Sequence, residues 1–315
     1  MLRIDRRTAL QLGAALLAFG LPRGSSSART TPASNFHAVY SDPVQRERFL
    51  LFLKNVFHLY PEERFHALIQ EVVARHEDDR EIYLELQDRL PGIAPVFATL
   101  SYSLPALRVQ KQEMGRQAAA LLGRDSSYDG YVEIGSPGRY VNPLRKQVEL
   151  RGPVYLVNDY DPGLLSPTDL FERGQLLEAG RYVPLGSYEP IGAQIPAASV
   201  DLVSNFIGFH HAPPERREAF IESIRRVLRP GGRLIVRDHD VRDGTMYSMV
   251  ALAHDVFNAG VKLSWADNAA QIRNFTSLVE LVELLESRGF ERADAVQFQP
   301  GDPTLNGLLL FVKPA

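Results

Sequence analysis

From Tyr128 to the C-terminus of this 315-residue chain, short apolar runs alternate with longer amphipathic stretches, and few folds accommodate that pattern. Alternation of this kind implies a parallel sheet covered by helices, since each parallel strand needs a crossover before the next can lie beside it. Strands are predicted at Tyr131–Ile134, Val154–Val157, Tyr182–Leu185, Ser199–Phe206 and Arg233–Arg237. Helices are predicted at Glu215–Leu228, stopped by Pro230-Gly231-Gly232, at about Thr245–Ala259, and from Ser277 to Gly289. Ser277 and Glu280 have the spacing of a capping box. Glu291–Phe298 and Gly307–Val312, joined through Gly301-Asp302-Pro303, read as a closing β-hairpin. The reading is an α/β domain over 125–315.

The preceding residues have a helical texture. Phe49, Leu50, Leu53, Val56 and Phe57 recur at three-to-four spacing. Pro61-Glu62-Glu63 opens a second helix whose apolar face carries Phe65, Leu68, Ile69 and Val72. Apolar patterns continue through Tyr83–Leu90 and Met114–Leu122, with Pro91, Pro95 and Pro105 as breaks. An accessory helical segment is therefore expected over 41–124. Residues 24–36 are rich in Ser, Thr, Ala and Pro, and 29–40 read as a linker. Residues 1–28 have the layout of an export signal: Arg6-Arg7, an apolar run from Thr8 to Leu21, and the small residues Ser26-Ser27-Ala28. The arginine pair resembles a twin-arginine signal, with Ala9 and Leu10 matching its apolar position loosely. The run is short for a membrane span. Use of the signal implies a periplasmic or secreted protein; otherwise the expectation is cytoplasmic.

Charge and composition remove several options. A net charge of −3 offers no basic excess, so no nucleic-acid partner is expected. The absence of cysteine excludes disulfides, thiolate metal sites and a cysteine nucleophile.

Four segments carry more specific information. The first, Val132-Glu133-Ile134-Gly135-Ser136-Pro137-Gly138-Arg139-Tyr140, is an acid followed by a glycine-rich turn, which lets backbone approach a ligand closely. Asn142-Pro143 reads as a helix cap and first position, so a short helix follows. The second, Val157-Asn158-Asp159-Tyr160-Asp161-Pro162, places an acid after the second strand, where ribose hydroxyls are bound in dinucleotide sites; a turn or cap is the plainer reading. The third leads through Asp201 into the fourth strand. The fourth, Leu228-Arg229-Pro230-Gly231-Gly232, joins a helix to an apolar strand, where its glycines would close the helix and reverse the chain.

Together these segments resemble the class I S-adenosylmethionine-dependent methyltransferases, in particular the methyltransferase type 11-like domain. The resemblance implies a Rossmann-like seven-stranded sheet with a terminal β-hairpin. It also implies S-adenosylmethionine as cofactor and a small-molecule or protein methyl acceptor. The implied cofactor-binding residues are Glu133, Gly135, Ser136, Gly138, Asp159, Ser187 and Phe206. Two departures stand out: the turn is one residue short with Pro137 in place of the middle glycine, and Ser187 stands where the family often has an acid for the adenine amino group. Tyr188 beside it is a candidate to stack on the ring.

Candidate catalytic residues are His210 and His211 after the fourth strand and Asp238 and His239 after the fifth, since a histidine there can serve as a general base near neutral pH. The plainer reading is that they hydrogen-bond to loops and shape the cleft. No metal is expected at Asp238-His239-Asp240, because three successive residues do not easily converge on one ion. Met246, Tyr247, Met249, His254 and Trp265 lie in an insertion that usually helps form the acceptor pocket in this family, although helical spacing makes Met246, Met249 and Val250 core residues. The competing expectation is a non-catalytic binding or scaffold protein with a degraded cofactor site. A dehydrogenase on the same sheet is disfavoured by the Leu-Arg-Pro-Gly-Gly helix end and the final hairpin.

Overall fold

In the computed structural model, seven strands form one sheet in the order β3-β2-β1-β4-β5-β7-β6. They are β1 (Ser127–Ile134), β2 (Glu149–Asn158), β3 (Arg181–Pro184), β4 (Val200–Asn205), β5 (Leu228–His239), β6 (Glu291–Phe298) and β7 (Asn306–Val312). The structure describes residues 33–94, 104–124, 126–161 and 179–315; the expected export signal over 1–28 lies outside them. Strands β1 to β5 run parallel, and β7 is antiparallel to both β5 and β6. The fold is thus α/β, Rossmann-like, with the terminal hairpin expected from the sequence.

The helices are α1 (Asn35–Tyr40), α2 (Pro43–Phe52), α3 (Glu62–Val73), α4 (Asp79–Ile93), α5 (Leu104–Leu122), α6 (Val141–Arg145), α7 (Pro214–Val227), α8 (Gly244–Gly260), α9 (Trp265–Ala269) and α10 (Leu278–Ser287). Alternating strand residues serve opposite faces of the sheet. Val132, Ile134, Val203, Leu234 and Val236 pack with Phe220, Ile224, Leu281 and Leu285 of α7 and α10. Tyr131, Leu156, Leu202 and Ile235 pack with Met114, Ala118 and Leu144 of α5 and α6. Burial on both faces explains why the central strands read as nearly continuous apolar runs.

A third cluster joins the N-terminal helices to α8. Phe36, Phe49, Phe57, Phe65, Ile69 and Leu86 pack with Met249, Val250, Leu252 and Val256. Helix α8 is buried around most of its circumference, as a helix held between two layers must be. Met246, Met249 and Val250 are core residues, as their spacing implied.

Three local expectations change. The linker expected over 29–40 is helical from Asn35: the Ser34 side chain caps α1, the Asn35 N–H donates to Asp79 Oδ2 at 2.9 Å, and Phe36, Val39 and Tyr40 are buried. Three apolar residues and a cap outweigh the Ser/Pro-rich composition before them. Asn142 lies inside α6, with Tyr140 at the N-cap; the helix is short, as expected. Helix α7 ends at Val227 with Leu228 already extended, so the two glycines do not cap it. They form an irregularity in β5 between the Val200–Leu228 and Leu202–Arg233 pairs, where the Gly231 N–H donates to Lys313 O at 2.8 Å.

The capping box of α10 is present in both halves: Ser277 Oγ accepts from the Glu280 N–H, and the Glu280 carboxylate accepts from the Ser277 N–H at 2.7 Å. Ser277→Ala should lower stability by about 1 kcal/mol in chemical denaturation, the usual loss for a helix cap.

Candidate functional site

The β1–β4 junction is where the strand order reverses. Connections leave it in opposite directions and open a crevice at the carboxyl ends of the strands. The glycine-rich turn lies there. Gly135 has φ +82°, and its N–H donates to Val157 O at 2.7 Å. A Cβ at Gly135 would stand 2.4 Å from Ile207 Cδ1, so a larger residue would have to displace the Ile207 side chain as well as strain the left-handed backbone. Gly138 has φ +94°, and a Cβ there would lie 2.5 Å from the Ala179 methyl.

Glu133 holds this turn from beneath. Its buried carboxylate accepts from Ser136 Oγ, from the Tyr140 N–H at 3.2 Å and from Tyr131 Oη at 3.1 Å. Ser136 Oγ in turn accepts from the Arg139 N–H at 3.1 Å. Burial pushes the Glu133 carboxyl up to about 7 against the opposing pull of those donors and of nearby Arg139. Glu133, Ser136 and Gly138 therefore build the turn, and none of the three lines either cavity described below.

The first cavity, of about 390 Å3, is lined by Gly135, Asn158, Asp159, Leu185, Ser187, Tyr188, Ile207 and His211, together with Gln271 and Ile272. Its volume falls within the range of small-molecule sites. Asp159 directly follows β2. Ser187 and Tyr188 adopt left-handed φ values of +54° and +65°, a conformation that costs non-glycine residues energy and that clusters at ligand sites. The Tyr188 ring meets Phe220 edge-on at 5.2 Å.

The second cavity, of about 70 Å3, is walled by Phe206, Ile207, His210, His211, Arg237, His239 and His254, with Phe52 and Val56 contributed by the N-terminal helical segment. Phe206 thus faces this pocket rather than the first, with its ring 4.7 Å from that of Tyr140. Ile207 and His211 belong to both cavities.

Asp238, buried at the end of β5, organises the second cavity. Its carboxylate accepts from the Phe209 N–H at 2.8 Å, from His210 Nδ1 at 2.5 Å and from the His239 N–H at 2.9 Å. Burial alone would raise its pKa, but His210, His239 and these donors hold it down at about 2. Gly208, with φ +80°, makes the approach possible: a Cβ there would stand 2.6 Å from His210 Nδ1 and 2.8 Å from Asp238 Oδ2. The ring of His210 lies 4.1 Å from that of His211, 5.3 Å from His254 and 5.5 Å from His239. Burial, reinforced by His210, pushes the His211 and His254 pKa values well below the usual range and His239 down to about 3. Asp240 diverges from this group: its Oδ1 accepts the Leu278 N–H at 3.0 Å at the start of α10, and its Oδ2 pairs with Arg242.

All four candidate catalytic residues are therefore brought together. His254, one turn from the C-terminal third of α8, completes the group. In the sequence it stands within an apolar helical stretch, and the resemblance implies it only as one residue of the acceptor-pocket insertion.

The sheet reverses order beside two adjoining cavities, the doubly wound arrangement in which ligands bind outside the carboxyl ends of the strands. Within it, residues 132–236 match the family model described as a methyltransferase domain. That segment contains the Gly135 turn, Asp159 and the 206–211 loop. Among solved structures, the chain is similar to the Burkholderia thailandensis 1,6-didemethyltoxoflavin-N1-methyltransferase with bound 1,6-didemethyltoxoflavin and S-adenosylhomocysteine. That similarity has 19% identity, covers 65% of this chain and 79% of that one, and has a TM-score of 0.44. A possible exported protein from Bordetella parapertussis is similar at 15% identity, covering 89% of this chain and 97% of that one, with a TM-score of 0.43. No curated protein matches. Among the described residues no helix is long and apolar enough to cross a membrane.

Two outcomes follow from this geometry. Gly208→Ala should displace the His210 ring and cost roughly 1–3 kcal/mol in denaturation experiments, because the left-handed backbone and the close approach are both violated. For Glu133, the folded carboxyl holds its proton to about pH 7, whereas the unfolded one releases it near 4.5. Between those values the native state binds more protons, so this residue's contribution to stability falls as pH rises. The stability of the wild type minus that of Glu133→Gln should fall by up to about 1.4 kcal/mol per pH unit across that window and level off above it. A flat difference would contradict the assignment.

Proposed function

We propose that the protein is an S-adenosylmethionine-dependent methyltransferase whose cofactor occupies the cavity at Gly135, Asp159 and Ser187 and whose acceptor enters the histidine-lined pocket. The observation that carries this reading is that the two cavities share Ile207 and His211 in their linings, so that a donor chamber and an acceptor chamber would lie side by side at the end of β4.

The residues present suit the cofactor. The bare Gly135 backbone and Asp159 line the same cavity, and the Asp159 carboxylate would accept from the ribose hydroxyls. The cofactor would supply a methyl group already activated on a sulfonium. What remains for the chain is to hold the acceptor in line and exclude water. Ile207 sets the boundary between the chambers. Phe52, Val56, Phe206 and Phe257 supply an apolar wall that confines the acceptor, while the histidines and Arg237 supply the polar contacts. The helical segment 41–124 thereby acts as part of the acceptor site. Glu133, Ser136 and Gly138 act indirectly by shaping the turn. The acceptor is a small molecule or the exposed end of a larger one.

We also infer export from the Arg6-Arg7 segment, a reading that rests on the sequence alone and predicts that a C-terminally tagged copy is recovered outside the cytoplasm.

Isothermal titration calorimetry tests the main reading. S-adenosylmethionine and S-adenosylhomocysteine should bind with micromolar affinity, and Asp159→Ala should weaken both at least tenfold. If neither compound binds, the methyltransferase reading fails and a non-catalytic binding or scaffold role takes its place.

A further inference from the structure

The histidine group has features that an acceptor pocket does not require. One ring nitrogen from each of His210, His211 and His254 lies within 4.8 Å of the other two. Neighbouring residues in an extended strand would point apart. Here the turn through Gly208 brings the rings of His210 and His211 to 4.1 Å, and α8 brings His254 against both.

The hydrogen bonds fix which nitrogen of each ring is available. Nδ1 of His210 faces the Asp238 carboxylate at 2.5 Å, Nδ1 of His211 faces Ile272 O at 3.1 Å, and Nδ1 of His254 faces Val250 O at 2.9 Å. All three partners can only accept, so each Nδ1 carries a proton, and it is Nε2 of each ring that holds the lone pair whenever the ring is neutral, as a metal ion would require. A ring anchored through one N–H to a carboxylate or carbonyl, with its other nitrogen free, is the usual arrangement of a metal-binding histidine. His210 Nε2 is fully buried and has no hydrogen-bond partner, although the residue is only 5% exposed. Buried polar atoms are seldom left in that state without a ligand, ion or water to meet them.

We propose that His210, His211 and His254 form a three-histidine site for a divalent transition-metal ion of the zinc type, with Asp238 as the outer carboxylate that orients His210. Three imidazoles without thiolate or carboxylate favour zinc, copper, nickel or cobalt over magnesium or calcium. A tetrahedral ion would draw the ligating nitrogens to about 3.4 Å from one another, which requires a modest closing of the rings. Three protein ligands leave a fourth position for water or an exchangeable group. The doubt raised by the contiguous run Asp238-His239-Asp240 does not apply, because the ligands come from the 206–211 loop and from α8. His239 is a neighbour and not a ligand: its Nδ1 bonds to Thr304 O at 3.1 Å and its Nε2 approaches Asn306 Nδ2 at 3.5 Å. The site stands whether or not the adjoining cavity binds S-adenosylmethionine.

The test is a zinc titration of the untagged full-length chain after removal of metal by chelation, read by competition with a chromophoric chelator. One zinc ion should bind per chain with submicromolar affinity. His211→Ala and His254→Ala should each weaken binding about 100-fold or more, Asp238→Asn should weaken it about 10- to 100-fold as outer-partner changes do, and the surface variant His76→Ala should bind as the wild type does. Cobalt substitution of the wild type needs no variant and should give the intense visible absorption of a tetrahedral nitrogen site. Binding that is substoichiometric, or that is undiminished in both histidine variants, or cobalt spectra of an octahedral aquo ion, would overturn the proposal. Zinc binding without S-adenosylmethionine binding would defeat the methyltransferase reading alone.

Discussion

One buried carboxylate ties the ends of the two central strands together. Asp238, on β5, accepts hydrogen bonds from the backbone of Phe209, from the ring of His210 and from the backbone of His239. It therefore sets the path of the loop after β4 and the orientation of the first histidine at once. Removing it would leave two backbone donors and an imidazole buried without partners, a heavier loss than that of any single contact. Gly208 is the counterpart of this arrangement, because only a residue without Cβ lets the loop close so tightly on the carboxylate. The positions of His211 and Ile207, and hence the boundary between the two cavities, follow from that closure.

The turn after β1 shows a second use of a buried acid. Glu133 could be expected at the ligand because of its place in the motif, but its oxygens are occupied by Ser136, Tyr140 and Tyr131. The shortened turn with Pro137 in place of a glycine is braced internally. The part that faces the cavity is reduced to Gly135, with Asp159 and Ser187 on the neighbouring loops. A turn of this kind presents less backbone to a ligand and relies more on the adjoining loops.

Much of the fold was legible in the sequence because it rests on local, periodic signals. Strand and helix periods, the Ser277–Glu280 box and the closing hairpin each follow from a few neighbouring residues. The candidate site was legible only in part. Asp238, His239, His210 and His211 could be placed because parallel strands deliver their carboxyl ends to one crevice. His254 could be named only as part of the acceptor-pocket insertion that the resemblance implies, since nothing within α8 says which way each of its polar residues faces until the N-terminal helices have claimed the other side. Helix α1 was concealed for a related reason: Phe36, Val39 and Tyr40 are too few to show a period, and their burial depends on residues more than two hundred positions away.

Helix α8 has one face on the histidine pocket, a polar side bonded through Asp255 and Asn258 to Asn268, Gln271 and Arg273, and a broad apolar surface against the N-terminal layer. Residues from both sides of the texture change near residue 125 thus share one packed cluster. Trimming the chain to its sheet-bearing part would strip a largely apolar helix of its cover and leave it seeking another surface, with aggregation as the natural outcome. Any fragment used to study the pocket must therefore keep both parts.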